Sequence, residues 1–146
     1  MKYLIVEDDS IDAQALSRRL RNADYSSEIV VALCAEDCID RLKTQLFDCV
    51  FIDYFLPDMN GDELFEKIQQ MNIPSYVVVV TGQGDESLAV NLMKKGVKDY
   101  IPKNKINKIN FKEIINQVIL AKDNQKCLEE NEKLNKIIAS KIKEYN

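Results

Sequence analysis

Carboxylates, a hydroxyl and an ammonium group each stand directly after a short apolar run of this chain. Glu7 and Asp8 follow the first run, Asp53 the third, Thr81 the fourth and Lys103 the fifth. A carboxylate beside buried apolar residues carries a free-energy cost unless a cation or a reaction uses it. Each residue alone is explained by turn or surface chemistry, but together they indicate a chemical site.

The types of these side chains predict which chemistry the site performs. Several carboxylates brought together cannot all stay ionised without a compensating cation. Oxygen ligands without nitrogen or sulfur favour a hard ion, and a site that keeps several waters favours Mg²⁺. With Mg²⁺ and Lys103 neutralising phosphoryl oxygens and Thr81 donating a hydrogen bond, Asp53 would act as nucleophile and form an aspartyl phosphate.

Five apolar runs predict the strands that must position these side chains, at 3–6, 29–33, 49–52, 76–80 and 99–101. The runs are rich in β-branched and aromatic residues and do not alternate with polar ones. This pattern is typical of strands buried on both faces of a parallel sheet. In such sheets a ligand site forms at the carboxyl ends of the strands.

Segments with helical spacing separate the runs. The first begins after Ser10, a predicted N-cap, and the fourth ends before Gly96, a predicted C-cap residue. The apolar stripes of the segments are Ile11, Ala15, Leu16 and Leu20; Ile39, Leu42 and Leu46; Leu64, Phe65, Ile68 and Met71; Leu88, Ala89, Leu92 and Met93; and Phe111, Ile114, Ile115, Val118 and Ile119. Five βα units predict an α/β fold with a doubly wound five-stranded parallel sheet.

Composition narrows the class of protein. The 146 residues are 46% hydrophobic and 30% charged, with a net charge of -4, which argues against nucleic-acid binding. No apolar run approaches the roughly 20 residues that span a bilayer, and we expect no signal peptide. The chain has no histidine, and its four cysteines form no CxxC pair, so we expect no zinc site and a cytoplasmic protein with reduced, buried or half-buried thiols.

Over about residues 1–122, the order and separation of these motifs resemble the receiver (phosphoacceptor) domain of two-component response regulators. "YLIVEDDS" is similar to the family's first strand and acidic pair, and "FIDYFLPDMNGDELF" to its phosphoacceptor segment. "VVVVTGQG" is similar to the switch hydroxyl segment and "GVKDYIPK" to the last strand with its lysine. The resemblance implies a flavodoxin-like receiver fold and a signalling switch.

The resemblance also implies roles for individual residues. Asp53 would be the phosphoacceptor, and Mg²⁺ would be held by Glu7, Asp8, Asp53 and the backbone carbonyl of Phe55. The phosphoryl donor would be a histidine kinase or a histidine phosphotransfer protein. The receiver would catalyse its own phosphorylation and dephosphorylation, and we do not expect it to act as an enzyme on another substrate.

Further positions concern the switch. By the resemblance, Thr81 and Lys103 would contact the phosphoryl group, and Tyr100 would be the aromatic that rotates. Two departures from the family stand out. Asn104 replaces the proline that commonly follows the lysine, and Phe55 and Gln83 flank the route of water to the acyl phosphate. A bulky Phe55 predicts a relatively long-lived phosphoryl state.

The composition changes after Ile119, and the chain from there to its end has no glycine or proline. We predict a helix from Phe111 to Tyr145 and a division into a receiver domain (1–122) and a helical extension (123–146). A heptad frame places Asn124, Cys127, Asn131, Leu134, Ile138, Lys141 and Tyr145 at the a and d positions. This frame fits a homodimer through the C-terminal helix, a link to an output domain, or a solvated helical extension.

Three other functions fit parts of the pattern. A Mg²⁺-dependent phosphohydrolase with an aspartyl-phosphate intermediate needs a second acid and a cap, and the 53–60 loop is short with Asp58 as its spare acid. A nucleotide or flavin carrier needs a glycine-rich cradle, but "VEDDSID" follows the first strand and would repel an anion. An unphosphorylated interaction module would not need an acidic pair, an acceptor aspartate, a hydroxyl and a lysine, and this chain has a residue of each type at the expected positions.

Overall fold

The computed structural model describes residues 1–82 and 86–145, and it has the predicted doubly wound α/β fold. In chain order the elements are β1 (Lys2–Val6), α1 (Ser10–Ala23), β2 (Glu28–Ala32), α2 (Ala35–Thr44), β3 (Cys49–Asp53), α3 (Gly61–Gln70), β4 (Tyr76–Thr81), α4 (Glu86–Lys95), β5 (Asp99–Pro102), a 3₁₀ helix (Lys103–Lys108) and α5 (Phe111–Tyr145). The strands form one sheet in the order β2-β1-β3-β4-β5, with every neighbouring pair parallel. Each strand lies within one residue of its predicted bounds.

The three central strands, β1, β3 and β4, are buried on both faces because helices cover both faces of the sheet. Alternate residues of β1 point to opposite faces, so Leu4 and Val6 join one apolar core while Tyr3 and Ile5 join the other. The first core packs against α2, α3 and α4, and the second against α1 and α5. This two-sided burial explains the unbroken apolar runs of the sequence.

Strand register brings the carboxyl ends of the central strands level. Val6 of β1 pairs with Ile52 of β3, and the next residue of β3, Asp53, pairs with Val80 of β4. Thr81 pairs with Pro102 at the end of β5. Polar residues at or just beyond these pairs therefore share one edge of the sheet.

The helix start after β1 differs from the prediction. The N-cap of α1 is Asp9, not Ser10, because the Asp9 carboxylate accepts hydrogen bonds from the N–H groups of Ile11 and Asp12 at 2.9 and 3.1 Å. Ser10 is the first residue of the helix. An aspartate at this position also interacts favourably with the positive end of the helix dipole.

Several predicted stripe residues lie on the solvent side. Ile11 and Leu46 are each 76% exposed, and Met93 and Ile119 are also exposed. The buried face of α1 is Ala13, Leu16, Ser17 and Leu20. Ile11 precedes Ala13 by two residues, about 200° around the helix, so it faces water. Leu46 follows the end of α2 and belongs to the loop before β3.

Other local predictions are confirmed. Gly96 ends α4 with a φ of 113°, a left-handed conformation that glycine adopts without strain. Asn104 lies within the 3₁₀ helix that follows β5. Cys38 and Cys49 are buried and Cys34 is half-buried, but Cys127 is exposed because it lies beyond the body of the domain on α5.

Helix α5 runs unbroken over Phe111–Tyr145, as predicted. Phe111, Ile114, Ile115 and Val118 pack into the core, and Ala121 is half-buried. Every described side chain from Lys122 to Glu144 is exposed. We call 123–145 the projecting segment; at 1.5 Å per residue it is about 35 Å long. Within residues 1–82 and 86–145, none of the helices combines the length and apolar character that crossing a membrane requires.

Candidate functional site

Four predicted residues lie together at the carboxyl edge of the sheet. Glu7 follows β1, Asp53 ends β3, Thr81 ends β4, and Lys103 follows β5. Glu7, Asp53 and Thr81 are buried, which is unusual for polar side chains without a task or a partner. Asp8, next to Glu7, is exposed to solvent.

The Lys103 ammonium connects these carboxylates. Its Nζ lies 2.8 Å from Glu7 Oε2 and 3.3 Å from Asp53 Oδ2, and it also lies 2.8 Å from Asp12 Oδ2. An ammonium has three N–H donors, so each can be directed to one carboxylate. The Glu7 and Asp53 side chains are only 6% and 8% exposed, so salt screens these two ion pairs weakly.

Asp12 belongs to this site although the sequence motifs did not single it out. It lies in the first turn of α1, which begins next to the end of β1. Residues three and four apart share a helix face, so an acidic residue one turn beyond Asp8 and Asp9 is the signal that could have identified it.

The site holds more negative charge than Lys103 alone neutralises. Burial raises the pKa of Glu7 to about 7, and neighbouring Asp53 contributes to the rise, although hydrogen bonds from Lys103 and from the Asp9 N–H oppose it. Burial lowers the pKa of Lys103, but Asp12 and Glu7 outweigh that effect and leave the pKa raised. The ammonium therefore stays charged, and the carboxylates still favour an added cation.

Glu7, Asp8 and Asp53 form a group of carboxylates that could hold a metal ion. Each offers one carboxylate oxygen, and these oxygens lie within 4.8 Å of one another. An all-oxygen donor set fits a hard cation such as Mg²⁺.

The β3–α3 loop holds the Asp53 end of β3 in place. The Phe55 N–H donates to Asp53 Oδ1 at 3.4 Å, and Phe55 pairs with Asn60 as an isolated bridge. The Gly61 N–H donates to the Tyr54 carbonyl at 2.6 Å. A Cβ at Gly61 would lie 2.9 Å from Tyr54 Cα, so only glycine allows α3 to start this close to β3.

Asp58, the spare acid of this loop, is engaged elsewhere. Its two carboxylate oxygens accept hydrogen bonds from the N–H groups of Ala35 and Glu36, at 2.9 and 3.0 Å, at the start of α2. The hydrogen bonds use the carboxylate as a cap for a neighbouring helix. This role argues against Asp58 as the second acid of a phosphohydrolase.

Phe55, Tyr100 and Gln83 are the remaining residues that the sequence predicted to belong to the site. Phe55 is 49% exposed, with its ring edge-on to Tyr54 at a centroid distance of 4.9 Å. Tyr100, on β5, is half-buried and packs against the core on the α2, α3 and α4 face. Gln83, predicted to flank the water route with Phe55, lies outside the described residues.

Comparison with known proteins identifies the family that this fold and site define. The family model for the response regulator receiver domain matches residues 3–119, so the chain belongs to the response regulator receiver family. This membership favours the receiver interpretation over the phosphohydrolase, carrier and unphosphorylated-module alternatives.

Individual relatives agree with the family match. The chain is 32% identical to the transcriptional regulatory protein CutR of Streptomyces coelicolor, over 70% of this chain and 46% of CutR. It is 32% identical to the sensory transduction protein LytR of Staphylococcus epidermidis, over 86% of this chain and 49% of LytR. A CheY-like receiver domain protein from Methanospirillum hungatei superposes with a TM-score of 0.68 at 25% identity, over 86% of this chain and 95% of that one. The chain thus spans about half the length of these two curated relatives.

Proposed function

We propose that this chain is a phosphorylation-dependent signalling switch with Asp53 as its phosphoacceptor. The observation that carries the proposal is the Lys103 ammonium held between two buried carboxylates, Glu7 and Asp53, at the carboxyl edge of the sheet. The donor is a phosphohistidine on a histidine kinase or a histidine phosphotransfer protein. An Asp53 carboxylate oxygen attacks phosphorus, the P–N bond breaks, and its electron pair returns to the imidazole nitrogen.

The carboxylates of Glu7, Asp8 and Asp53, with the backbone carbonyl of Phe55, would hold the Mg²⁺. A bound Mg²⁺ would neutralise charge on the phosphoryl oxygens. Lys103 supplies a second positive charge to the same oxygens, and the burial of Asp53 limits competing water. Hydrolysis of the aspartyl phosphate, by attack of water at phosphorus, returns Asp53 to a carboxylate and releases inorganic phosphate.

Phosphorylation adds negative charge next to Thr81 and Lys103, and this charge drives the switch. The Thr81 hydroxyl and the Lys103 ammonium turn to the phosphoryl oxygens, and Tyr100 changes position with them. The affected face comprises α4, β5 and the core part of α5. Because α5 continues into the projecting segment, movement of this face changes the position of that segment or of an output module attached to it.

We further propose that the projecting segment pairs with a second copy of the chain. Its exposed apolar side chains lie at helical spacing and include Leu134, Ile137, Ile138 and Ile142, each about half exposed. Leu134 and Ile138 hold positions of the predicted heptad seam, and Asn131 would set its register. Pairing would remove this apolar surface from water, which a single projecting helix cannot do.

Intact-mass measurement after incubation with Mg²⁺ and acetyl phosphate tests the proposed acceptor. Here the acetate carboxylate is the leaving group and takes the electron pair of the broken P–O bond. We expect the mass of one phosphoryl group on the wild type, none on Asp53→Asn, and none after chelation of Mg²⁺. An Asp53→Asn variant that gains the same mass would refute Asp53 as the acceptor.

A further inference from the structure

We infer that Asp12 is a positioning residue that keeps the Lys103 ammonium at the acceptor when a metal ion occupies the other carboxylates. The inference rests on the proposed function of Asp53 and adds a residue to it. Its basis is the 2.8 Å contact between Asp12 Oδ2 and Lys103 Nζ, which is as short as the contact of Lys103 with Glu7.

The three carboxylates around Lys103 differ in what else they can bind. Glu7 and Asp53 also belong to the metal-ligating group, together with Asp8. A divalent cation on that group would draw the oxygens of Glu7 and Asp53 and repel the ammonium. Asp12 is outside the group, so its carboxylate remains available to hold Lys103 in the metal-loaded protein.

The fold keeps the Asp12 carboxylate in place. Asp12 lies in the first turn of α1, and the Asp9 cap accepts its backbone N–H at 3.1 Å. Lys103 begins the 3₁₀ helix that follows β5. The ion pair therefore joins two residues that are 91 positions apart. They follow β1 and β5, the strands on either side of β3 and β4 in the sheet.

The exposure of Asp12 limits the size of the effect. Its side chain is 44% exposed, whereas that of Lys103 is 23% exposed. A partly exposed ion pair changes an affinity by about two- to fivefold. We expect Asp12→Asn to weaken the binding of beryllofluoride, a stable mimic of the phosphoryl group, by this factor at a fixed saturating Mg²⁺ concentration.

Titration of variants of the whole 146-residue chain with beryllofluoride, followed by fluorine NMR, measures this affinity. Asp9→Asn is the matched control, because it removes one carboxylate charge from the same helix start, while asparagine caps a helix about as well as aspartate. Asp12→Glu keeps the carboxylate and should recover at least half of the lost affinity.

The outcomes separate this inference from the proposed function. Weaker binding by Asp12→Asn, with Asp9→Asn unchanged and Asp12→Glu recovered, supports the positioning role. Unchanged or tighter binding by Asp12→Asn overturns it, and so does an equal loss in Asp12→Glu or in Asp9→Asn. If the wild type fails to bind, or Asp53→Asn binds equally well, the proposed function fails and the inference falls with it.

Discussion

At the scale of single residues, Phe55 is the position that departs from the receiver family pattern with the clearest chemical consequence. It lies two positions beyond the proposed acceptor, and its ring is held edge-on to Tyr54 although half of it is exposed. We expect an apolar ring at this position to cover the approach of water to an acyl phosphate on Asp53. The phosphorylated state should therefore persist longer than it would with a small polar residue.

Phe55→Asn should lose its phosphoryl group faster, because the amide opens the route and can orient an attacking water. A barrier lower by about 1 kcal/mol corresponds to roughly a fivefold faster loss. The measurement is the decay of phosphorylated protein by intact mass after removal of acetyl phosphate. Leu46→Asn serves as control, since Leu46 is exposed and precedes β3 at the opposite end of the strand from Asp53. Equal decay in Phe55→Asn and wild type would show that Phe55 does not shield the site.

At the scale of secondary-structure elements, the close approach of α3 to β3 depends on Gly61. A Cβ there would lie 2.9 Å from Tyr54 Cα and 3.3 Å from the Asp53 carbonyl oxygen. Both neighbours are backbone atoms of Asp53 and Tyr54, so relief of the close contact requires the end of β3 or the start of α3 to move.

Gly61→Ala should destabilise the protein by about 1–3 kcal/mol, the usual cost of overpacking, and slow phosphorylation by acetyl phosphate. Urea unfolding and the intact-mass time course measure the two effects. Gly82→Ala is the matched control for stability, because its Cβ would lie an ordinary 3.7 Å from Lys103 Cδ. A Gly61→Ala variant as stable as Gly82→Ala would disprove the crowding argument.

A second contact between secondary-structure elements joins α5 to the amino-terminal ends of β1 and β3. The Asp48 carboxylate accepts the Lys2 N–H and the Lys122 ammonium, each at 2.7 Å. Burial raises the pKa of Asp48, but Lys122 and the Lys2 N–H outweigh this and leave the pKa lowered. Asp48 thus links the starts of β1 and β3 to the point where α5 leaves the body.

Asp48→Ala should lower the free energy of unfolding by about 1–3 kcal/mol at neutral pH, because it leaves a partly buried N–H without its acceptor. The folded state favours ionised Asp48, so its contribution is present above the unfolded pKa of about 3.9 and is lost as the pH falls through the lower folded pKa. The difference between wild type and variant in urea unfolding should therefore shrink in acid. Asp40→Ala, an exposed substitution on α2, should show no such difference, and a gap that persists in acid would contradict the ionised contact.

At the scale of the whole molecule, the proposed pairing of two chains depends on the projecting segment. Ile138 lies on the apolar stripe, and Ser140 lies two residues later, about 200° around the helix. Ile138→Glu should shift the protein towards monomer, since a charge in the seam of a paired helix loses hydration without a partner. Ser140→Glu adds the same charge on the other side and should leave association unchanged.

Sedimentation equilibrium over a range of concentrations measures this difference. A wild type that stays monomeric throughout would refute the pairing and leave the projecting segment as a solvated extension or a link to an output module. Repeating the measurement on protein phosphorylated with acetyl phosphate then tests whether phosphorylation changes the association of the chains.

Local patterns in the sequence determined much of this protein. Two-sided burial requires unbroken apolar runs, and these runs predicted all five strands to within one residue. Parallel strands must end at a shared edge, so the residues that follow them predicted the meeting of Glu7, Asp53 and Lys103. The absence of helix breakers predicted the full extent of α5.

Only the tertiary structure decided the details that depend on distant segments. Asp12 does not follow a strand, so the strand pattern that predicted Glu7 and Lys103 could not place it, and its contact with Lys103 depends on how α1 packs beside the end of β1. The exposure of Ile11 follows from which side of α1 meets the sheet, and the cap by Asp9 rather than Ser10 follows from the backbone direction as the chain leaves β1. Local periodicity specifies that an element forms, whereas the packing of elements against one another sets which of its side chains reach the core or the site.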